Sequence, residues 1–367
     1  MNDKPLDIVK EGTTELFVYK KKTSAKGPSA RDQMPFYNPS MELNRDVSIL
    51  VNQWLLNVST KQVHILDGLA ASGIRGIRLA HELEGDFEVT INDWNDQSFL
   101  LIQQNIQKSS LQNISMFQRD LNSLLSERRY NSIDIDPFGS PVYFLDAAVR
   151  SVYNKGVIAC TATDTAALCG VFPQVCYRRY GAWPLHSPSM HEIGLRILLG
   201  FICREAAKYD RGIEPLLCYT TDHYIRIYVQ IINGKNAANS SMAQFLSIPA
   251  RDIPLSKGNT TVVGPLWMGK LQKKPILQEI RTIMSSKTLS TKNILWNLLY
   301  LLEEESDAPP FFYTTNDLSS LLKQSPPTMD HIFEHLRNKG FIATKTHCTP
   351  TGFKTNAPLD VITEVFK

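Results

Sequence analysis

The chain has 367 residues, which suits two or three domains of the usual ~100 to 200 residues each. Hydrophobic residues make up 43% and charged residues 20%, so the composition excludes disordered, collagenous and low-complexity proteins. No apolar run approaches the ~18 residues that a membrane-spanning helix needs, and the charged N-terminus does not resemble a signal peptide. We therefore expect a cytoplasmic protein with no membrane contact.

Positive charge concentrates in the C-terminal part of the chain. Residues 1–230 carry 24 basic and 25 acidic side chains (net −1), whereas residues 231–367 carry 15 and 11 (net +4). The total of +3 is too weak by itself to indicate a nucleic-acid partner. The six cysteines lie outside any C-x-x-C spacing, so we expect reduced, mostly buried thiols.

A parallel sheet is predicted from residue 63 onward. Short β-branched runs at 63–67, 89–93, 114–117, 132–136 and 157–161 alternate with stretches of helical spacing. A long helix follows, and the runs 216–220 and 224–231 flank a short polar turn, which predicts an antiparallel hairpin. Seven strands ending in such a hairpin are the order expected of an α/β, class I (Rossmann-like) methyltransferase sheet.

The second domain is predicted to be smaller and α+β. A polar stretch from Asn233 to about Val262 predicts a linker or irregular segment, which divides the chain into domains 1–232 and 233–367. Helical patterns follow, and the last of them stops at Gly340, before a strand-turn-strand pattern. Two helices and a basic hairpin resemble a winged helix, a fold that often contacts nucleic acid. A helical packing domain is the alternative.

The segment HILDGLAASGIRGIR predicts a strand that ends at Asp67, a loop containing Gly68 and Gly73, and a helix that opens near Ile74. Glycines let the backbone approach a nucleotide, and a helix N-terminus favours electron-rich groups. The spacing departs from the G-x-G-x-x-G dinucleotide motif and instead resembles motif I of S-adenosylmethionine (SAM) methyltransferases. An ordinary tight strand-to-helix turn is the alternative.

Acidic side chains end the next strands. Asp93 follows the second strand, where a carboxylate can accept both hydrogen bonds of a ribose diol. Asp120 follows the third strand and can accept from an adenine amino group, while the backbone amide of Leu121 can donate to the ring. Asp120 also suits an N-cap of the next helix, and it can serve both purposes. Acids or glycine turns at three successive strand ends favour a SAM site.

The fourth strand ends in Asp136-Pro137-Phe138-Gly139-Ser140-Pro141. Asp136 stands at the carboxyl edge, where open α/β sheets bind ligands. Asp-Pro-Phe resembles the Asp-Pro-Pro-Tyr motif of methyltransferases that modify exocyclic amino groups, in which the carboxylate localises the amine lone pair. Phe138 offers a face for stacking. A proline turn capped by a buried aspartate is the alternative.

Several motifs together resemble one family, the tRNA guanine-26 N2-dimethyltransferases, and most closely its shorter archaeal members. They span nearly the whole chain and include the rare late motif THxxPxGxKTNAP. The motifs are FYNP (36–39), LNRD (43–46), Asp67 with GIRGIR (73–78), DPFGSP (136–141), TATD (161–164), GPLW (264–267), Thr346-His347 and PTGFKTNAP (350–358).

The resemblance implies a role for particular residues. Those that would hold SAM are Arg45, Arg75, Asp93 and Asp120, with the Leu121 backbone, beside the Asp67-Gly68 loop. Asp136 would be the catalytic carboxylate. Phe36 and Phe138 would sandwich the flipped guanine, since base–aromatic stacking is worth ~1 to 3 kcal/mol per base. Lys345, His347, Lys354 and Asn356 in the positive C-terminal domain are expected to contact the tRNA backbone.

One feature departs from the family pattern. Many relatives carry a cysteine quartet, apparently for zinc, before the GPLW motif, but this chain has no cysteine between Cys218 and Cys348, so we expect no metal. The alternatives in function are a methyltransferase acting on another amine, such as adenine in DNA or a protein side chain, and a non-catalytic RNA-binding protein. A nicotinamide dehydrogenase is disfavoured because G-x-G-x-x-G is missing.

Overall fold

A computed structural model describes residues 6–19, 35, 37–221, 223–256 and 261–366. The chain folds as two compact units that are interleaved in sequence. Unit 1 comprises Met1–Asp136, Ala147–Cys160 and Glu279–Trp296, and unit 2 comprises Pro137–Asp146, Thr161–Gln278 and Asn297–Lys367. The functional division at residue 232 stays a prediction.

The strands and helices are numbered in chain order. The strands are β1 (Leu6–Glu11), β2 (Thr14–Tyr19), β3 (Val63–Asp67), β4 (Phe87–Asn92), β5 (Ile114–Phe117), β6 (Tyr130–Ile135), β7 (Val152–Ala162), β8 (Arg211–Thr220), β9 (Ile225–Asn233), β10 (Phe245–Pro249), β11 (Val262–Trp267), β12 (Tyr313–Thr314), β13 (Ala343–Lys345) and β14 (Gly352–Thr355). The helices are α1 (Glu42–Val58), α2 (Ile74–Glu82), α3 (Asp96–Ser109), α4 (Leu121–Glu127), α5 (Val142–Ser151), α6 (Thr165–Leu168), α7 (Pro173–Tyr180), α8 (Met190–Ala207), α9 (Lys235–Met242), α10 (Lys274–Ser286), α11 (Lys292–Glu304), α12 (Thr315–Leu322), α13 (Met329–Asn338) and α14 (Leu359–Glu364).

The largest sheet has seven strands in the order β5-β4-β3-β6-β7-β9-β8. Strands β3 to β7 pair in parallel, and β8 and β9 form an antiparallel hairpin. The apolar side chains of Val63, Ile65 and Ile133 are at most 1% exposed, because strands covered on both faces need apolar residues throughout. The α/β class, the seven strands and the closing hairpin predicted from the sequence are confirmed.

An N-terminal hairpin, β1 and β2, is an element of unit 1 that the sequence analysis did not predict. Leu16 and Val18 pack with Ile74 in a small apolar cluster. The side chain of Asn105 on α3 accepts from the amide of Phe17 at 2.6 Å and donates to its carbonyl at 3.0 Å. The side-chain amide of Asn105 thus satisfies the backbone N–H and C=O of Phe17, as a neighbouring strand would do.

The expectation of a linker between Asn233 and Val262 is wrong. This stretch contains α9 and β10, and β10 pairs with β11 in an antiparallel two-stranded sheet. A Cβ atom at Gly212 would lie 2.3 Å from the carbonyl oxygen of Ala237, so α9 packs closely on β8. Gly212 permits this close approach, and the buried side chain of Ser241 on α9 accepts from the amide of Ile213 at 2.9 Å.

The last hundred residues contain the predicted helices and hairpin. β12, β14 and β13 form a three-stranded antiparallel sheet whose core includes Ile332, Leu336 and Phe353. α13 ends at Asn338, and Gly340 follows with a φ of 82°, as expected of a residue just beyond a helix end. The elements predicted here are confirmed, whereas their assignment as a winged helix stays a prediction.

Five of the six cysteines are buried, which confirms that expectation. Within the described ranges, no helix combines the length and the apolar character that crossing a bilayer requires. The same ranges hold no group of three or more His, Cys, Asp or Glu residues with the geometry of a metal site.

Candidate active site

The carboxyl ends of the parallel strands are tied to one another by hydrogen bonds. The backbone amide of Gly68, just after β3, donates to the carbonyl of Asp134 in β6 at 3.0 Å. The buried side chain of Asn92, at the end of β4, donates to the carbonyls of Gly68 and Arg119 at 3.0 and 3.1 Å. The segments that follow β3, β4 and β5 therefore converge at one edge of the sheet, where open α/β sheets bind ligands.

The loop between β3 and α2 has the close backbone packing that its glycines suggested. Gly73 has a φ of 79° and directly precedes α2, so it occupies a left-handed conformation that favours glycine. A Cβ atom at Gly68 would lie 3.0 Å from the side chain of Leu121. The carboxylate of Asp67 accepts a hydrogen bond from the amide of Gly76 at 2.9 Å, and this contact fixes the loop against the helix.

Asp93 lies at the predicted edge and holds the same loop. Its Oδ2 accepts from the amide of Ala71 at 2.7 Å, and its Oδ1 accepts from the amide of Asn95 at 2.9 Å. Burial raises the pKa of this carboxyl, and the backbone hydrogen bonds oppose the rise. Each oxygen has a second lone pair, so the carboxylate can still accept from a diol.

Asp120 and Leu121 begin α4. The carboxylate of Asp120 accepts from the amide of Ser123 at 2.9 Å, which confirms the predicted N-cap. Asp120 is exposed, and Leu121 is the first helical residue, whose amide has no partner within the helix. The backbone at Leu121 can therefore donate to a ligand.

Arg75 places a positive charge at the carboxyl edge of the sheet. Its Nη2 donates to the carboxylate of Asp136, the residue that directly follows β6. Its Nη1 donates to Asn44 Oδ1 at 2.8 Å and to Ser48 Oγ at 2.6 Å, and it lies 3.4 Å from Asp134 Oδ2. The guanidinium thus joins α1, α2 and the end of β6.

Three carboxylates surround this one guanidinium. Burial raises the pKa of Asp67 to about 7; Arg75 opposes the rise, and Asp134 and Asp136 reinforce it. Even with Asp67 protonated, Asp134 and Asp136 outnumber Arg75, so the edge carries a local excess of negative charge, which attracts a cationic ligand.

Arg45 lies in a different group of charges. It is buried, its Nε donates to Glu11 Oε2 at 2.7 Å, and its Nη2 donates to the carbonyl of Asn38 at 3.0 Å. Arg78 Nη1 also donates to Glu11 Oε2, at 3.2 Å. The described contacts of Arg45 thus connect the N-terminal hairpin to α1, and its role with SAM stays a prediction.

The turn after Asp136 presents an aromatic ring. Phe138 is 75% exposed, which is unusual for a phenylalanine in a well-packed domain. Gly139 has a φ of 89°, its amide donates to Thr163 Oγ1 at 2.7 Å, and its carbonyl accepts from the amide of Thr163 at 2.9 Å. This two-point attachment fixes the turn. Phe36, the other predicted stacking residue, lies outside the described residues.

A second set of hydrogen bonds connects the turn to α7. The hydroxyl of Ser140 donates to the hydroxyl of Tyr180 at 2.8 Å, and Tyr180 donates to Asp164 Oδ1 at 2.7 Å. Asp164 Oδ2 also accepts from Arg179 at 2.9 Å. Thr163 and Asp164 belong to the TATD motif, whose chemical purpose the sequence analysis did not identify.

Sequence reasoning missed other residues of the edge. Asn92 ties the loops together and directly precedes Asp93, but it is uncharged, so a search for acids at strand ends does not identify it. Trp94 follows Asp93 and is 70% exposed, so an aromatic surface lies beside the predicted ribose contact. A tryptophan next to an acid at a strand end was an available signal for a nucleoside-binding surface.

The expectation that His347 and Lys354 contact the tRNA backbone is wrong. The side chain of His347 is 2% exposed and pairs with Glu305, while Lys354 Nζ lies 2.8 Å from Glu192 Oε2. The two cations neutralise two buried glutamates, so they are part of the interior of unit 2. Lys345 and Asn356 are exposed.

The family model for N2,N2-dimethylguanosine tRNA methyltransferases matches residues 17–367. The chain belongs to this family. Two relatives named tRNA (guanine(26)-N(2))-dimethyltransferase align over nearly their full length. The protein of Thermococcus kodakarensis is 39% identical over 99% of this chain and 99% of its own. That of Methanobrevibacter smithii is 35% identical over 100% of this chain and 98% of its own.

A solved structure has the same fold over the whole chain. It is Trm1 from Pyrococcus horikoshii in complex with S-adenosyl-L-methionine, with a TM-score of 0.86 and 35% identity over 99% of this chain and 100% of that one. The family predicted from the motifs and the class I sheet are therefore both confirmed.

Proposed function

We propose that this protein transfers two methyl groups from SAM to the exocyclic N2 of guanine 26 in tRNA, in the cytoplasm. Full-length relatives carry this activity in their names, and one related structure holds SAM. The observation that carries the proposal is the position of Asp136, directly after β6 and bonded to Arg75 at the edge where the strand ends converge.

The residues of this edge fit SAM. Asp93 can accept from a ribose diol, and the Leu121 amide, which has no partner within its helix, can donate to an adenine nitrogen. Asp120 is exposed beside that amide and can accept from the adenine amino group. Asp134 and Asp136 carry two negative charges against the one positive charge of Arg75, and this net negative charge suits a donor whose reactive centre is a sulfonium. SAM supplies an electrophilic methyl group.

Asp136 acts on the methyl acceptor. The lone pair of a guanine N2 is delocalised into the ring, and a carboxylate that accepts its N–H hydrogen bond localises the pair for in-line attack. In each round the new N2–methyl bond replaces the sulfonium–methyl bond, S-adenosylhomocysteine leaves as a neutral thioether, and the N2 proton goes to the Asp136 carboxylate or to water. Two N–H hydrogens permit two rounds of transfer. Arg75 holds the Asp136 carboxylate in place, so this arginine is a positioning residue for the reaction and borders the predicted SAM site.

The exposed ring of Phe138 receives the target base. A guanine must leave the helical stack before its N2 can react, at a cost of a few kcal/mol, and stacking on an aromatic ring offsets this cost. Phe36 is the second ring of the proposed sandwich. Residues 233–367, with the exposed side chains of Lys345 and Asn356, are the proposed tRNA-binding domain.

The test is methyl transfer into defined tRNAs. Purified protein, SAM and a tRNA transcript with guanine at position 26 are incubated, and the nucleosides are identified by mass spectrometry. We expect N2-methylguanosine followed by N2,N2-dimethylguanosine, and no product when position 26 is adenine. Equal methylation of the adenine variant, or transfer only into DNA or protein, would contradict the proposal.

A further inference from the structure

Four large aromatic side chains of unit 2 are exposed on two neighbouring segments. Phe138 and Tyr143, on the turn after Asp136 and the start of α5, are 75% and 68% exposed. Phe172 and Tyr177, at the start and on the outer side of α7, are 56% and 47% exposed. Exposed apolar groups of this size mark interaction sites when they are clustered.

Hydrogen bonds attach the two segments to each other. Tyr180 on α7 contacts Ser140 of the turn and Asp164, as described above. Arg179 donates to Asp164 and lies within electrostatic reach of the Tyr143 phenol. The inner side of α7 is therefore fastened beside the turn that carries Phe138.

The outer side of α7 is preorganised and basic. The ring of Tyr177 stacks on that of Trp183, with centroids 4.5 Å apart and an interplanar angle of 13°, so its orientation is already fixed. Arg178 is exposed, and no carboxylate of the described residues lies within ion-pair distance of it. Helix α7, with the sequence PQVCYRRY, contains no acidic residue.

Two explanations compete for this pattern. Arginines in the last turn of a helix interact favourably with its dipole, and this alone would account for Arg178 and Arg179. The dipole does not account for the exposure of Phe172 and Tyr177. Aromatic rings interleaved with an exposed guanidinium instead suit single-stranded nucleic acid, since rings stack on bases and the cation binds phosphate.

We propose that Phe172, Tyr177 and Arg178 form an RNA-binding surface for the nucleotides that flank the target guanine. A flipped base leaves its neighbours partly unstacked, and the rings of α7 provide replacement faces while Arg178 binds the adjoining phosphate. The inference rests on the proposed function, because it takes the guanine on Phe138 as the fixed point.

The test measures tRNA methylation by Phe172→Ala, Tyr177→Ala and Arg178→Glu under saturating SAM. Each aromatic substitution is expected to lower kcat/KM for tRNA about tenfold. Arg178→Glu is expected to reduce the slope of log affinity against log salt by about one. The Kd for SAM, measured by calorimetry, should stay at the wild-type value in all three variants, and Tyr177→Phe should lower kcat/KM less than Tyr177→Ala because it keeps the ring.

Matched controls lie before β3, at the amino edge of the sheet. Val58 is 52% exposed and Lys61 is exposed. Val58→Ala removes an exposed apolar side chain and Lys61→Glu reverses an exposed charge, and both variants are expected to methylate tRNA at the wild-type rate. Wild-type kcat/KM in the α7 variants, or a loss of SAM affinity as large as the loss of activity, would overturn the inference. Failure of the proposed function has a different signature, because the wild-type protein would then not methylate tRNA at all.

Discussion

The guanidinium of Arg75 donates a hydrogen bond to the carboxylate of Asp136, and the same guanidinium contacts Asn44 and Ser48 on α1. The residue expected to hold SAM and the residue expected to act on guanine are therefore in direct contact. A single buried guanidinium therefore holds the carboxylate that we propose to be catalytic and offsets the charge of the acids around it.

Replacing Arg75 is predicted to destabilise unit 1. Arg75→Met leaves Asp134 and Asp136 without their cation, and breaking a buried pair typically costs about 3 to 5 kcal/mol. Urea denaturation measures the free energy of unfolding. Arg119→Met serves as the control, because Arg119 pairs with Glu127 at the surface and its loss should leave that free energy unchanged. Equal effects of the two substitutions would contradict the assignment.

The carboxyl of Asp67 is predicted to make stability depend on pH. Burial raises its pKa from the ordinary value of 3.8 to about 7, so between these values the unfolded chain ionises while the folded chain stays protonated. This group therefore lowers the free energy of unfolding progressively as pH rises from about 4 to about 7. Asp67→Asn keeps an acceptor for Gly76 but does not ionise.

Denaturation of the wild type and of Asp67→Asn at pH 5 and pH 8 measures this effect. The difference in stability between the two proteins should shift in favour of Asp67→Asn at the higher pH. A difference that is the same at both pH values would show that Asp67 does not titrate in this range in the folded protein.

Lys354 is predicted to stabilise the fold without binding tRNA. Burial alone would raise the pKa of Glu192, but the charges of Lys354 and Arg196 lower it to about 2. The stabilisation from Glu192 is therefore present above its unfolded pKa of about 4.5 and is lost as pH falls toward 2. Lys354→Met should lower the free energy of unfolding by about 3 to 5 kcal/mol at pH 7.

Lys345 is the matched control, since it is exposed on β13, the neighbouring strand of β14. Lys345→Met should leave the unfolding free energy unchanged and weaken tRNA binding. Lys354→Met should leave the salt dependence of tRNA affinity unchanged under conditions where it remains folded. If Lys354→Met instead weakened tRNA binding without lowering the free energy of unfolding, Lys354 would contact tRNA as the sequence suggested.

Thr163 is predicted to position the turn that follows Asp136. Thr163→Val removes the acceptor for the Gly139 amide, and Thr163→Ser retains it. The valine variant should lower kcat for tRNA methylation about tenfold, because the turn that carries Phe138 loses one of its two attachments to Thr163. The Kd for SAM should not change. A serine variant as slow as the valine variant would show that the hydroxyl is not the relevant group.

The sequence predicts those features of the site that depend on residues close together in the chain. The strand end at Asp67, the N-cap at Asp120 and the proline turn after Asp136 are encoded within a few residues, so pattern and spacing are sufficient to predict them, although the strand predicted over 132–136 ends one residue earlier, at Ile135. The same applies to the closing hairpin, since its turn lies between two apolar runs.

The sequence was uninformative where partners are distant in the chain. Lys354 looks like a surface cation until the fold brings it to Glu192, more than 150 residues earlier. Helix α9 resembled a linker because its small residues suit either flexibility or close packing, and only the position of Gly212 distinguishes these. The pairing of Arg45 with Glu11 depends on a hairpin that the pattern did not indicate.

The most direct test of the central claim is the product of Asp136→Asn. Guanine-26 tRNA is incubated with SAM and either the wild type or this variant, and methylated guanosines are quantified by mass spectrometry alongside the Kd for SAM. We predict that SAM binding persists while both mono- and dimethylguanosine fall by about 10²- to 10⁴-fold. Methylation at the wild-type rate by Asp136→Asn would contradict the role of this carboxylate.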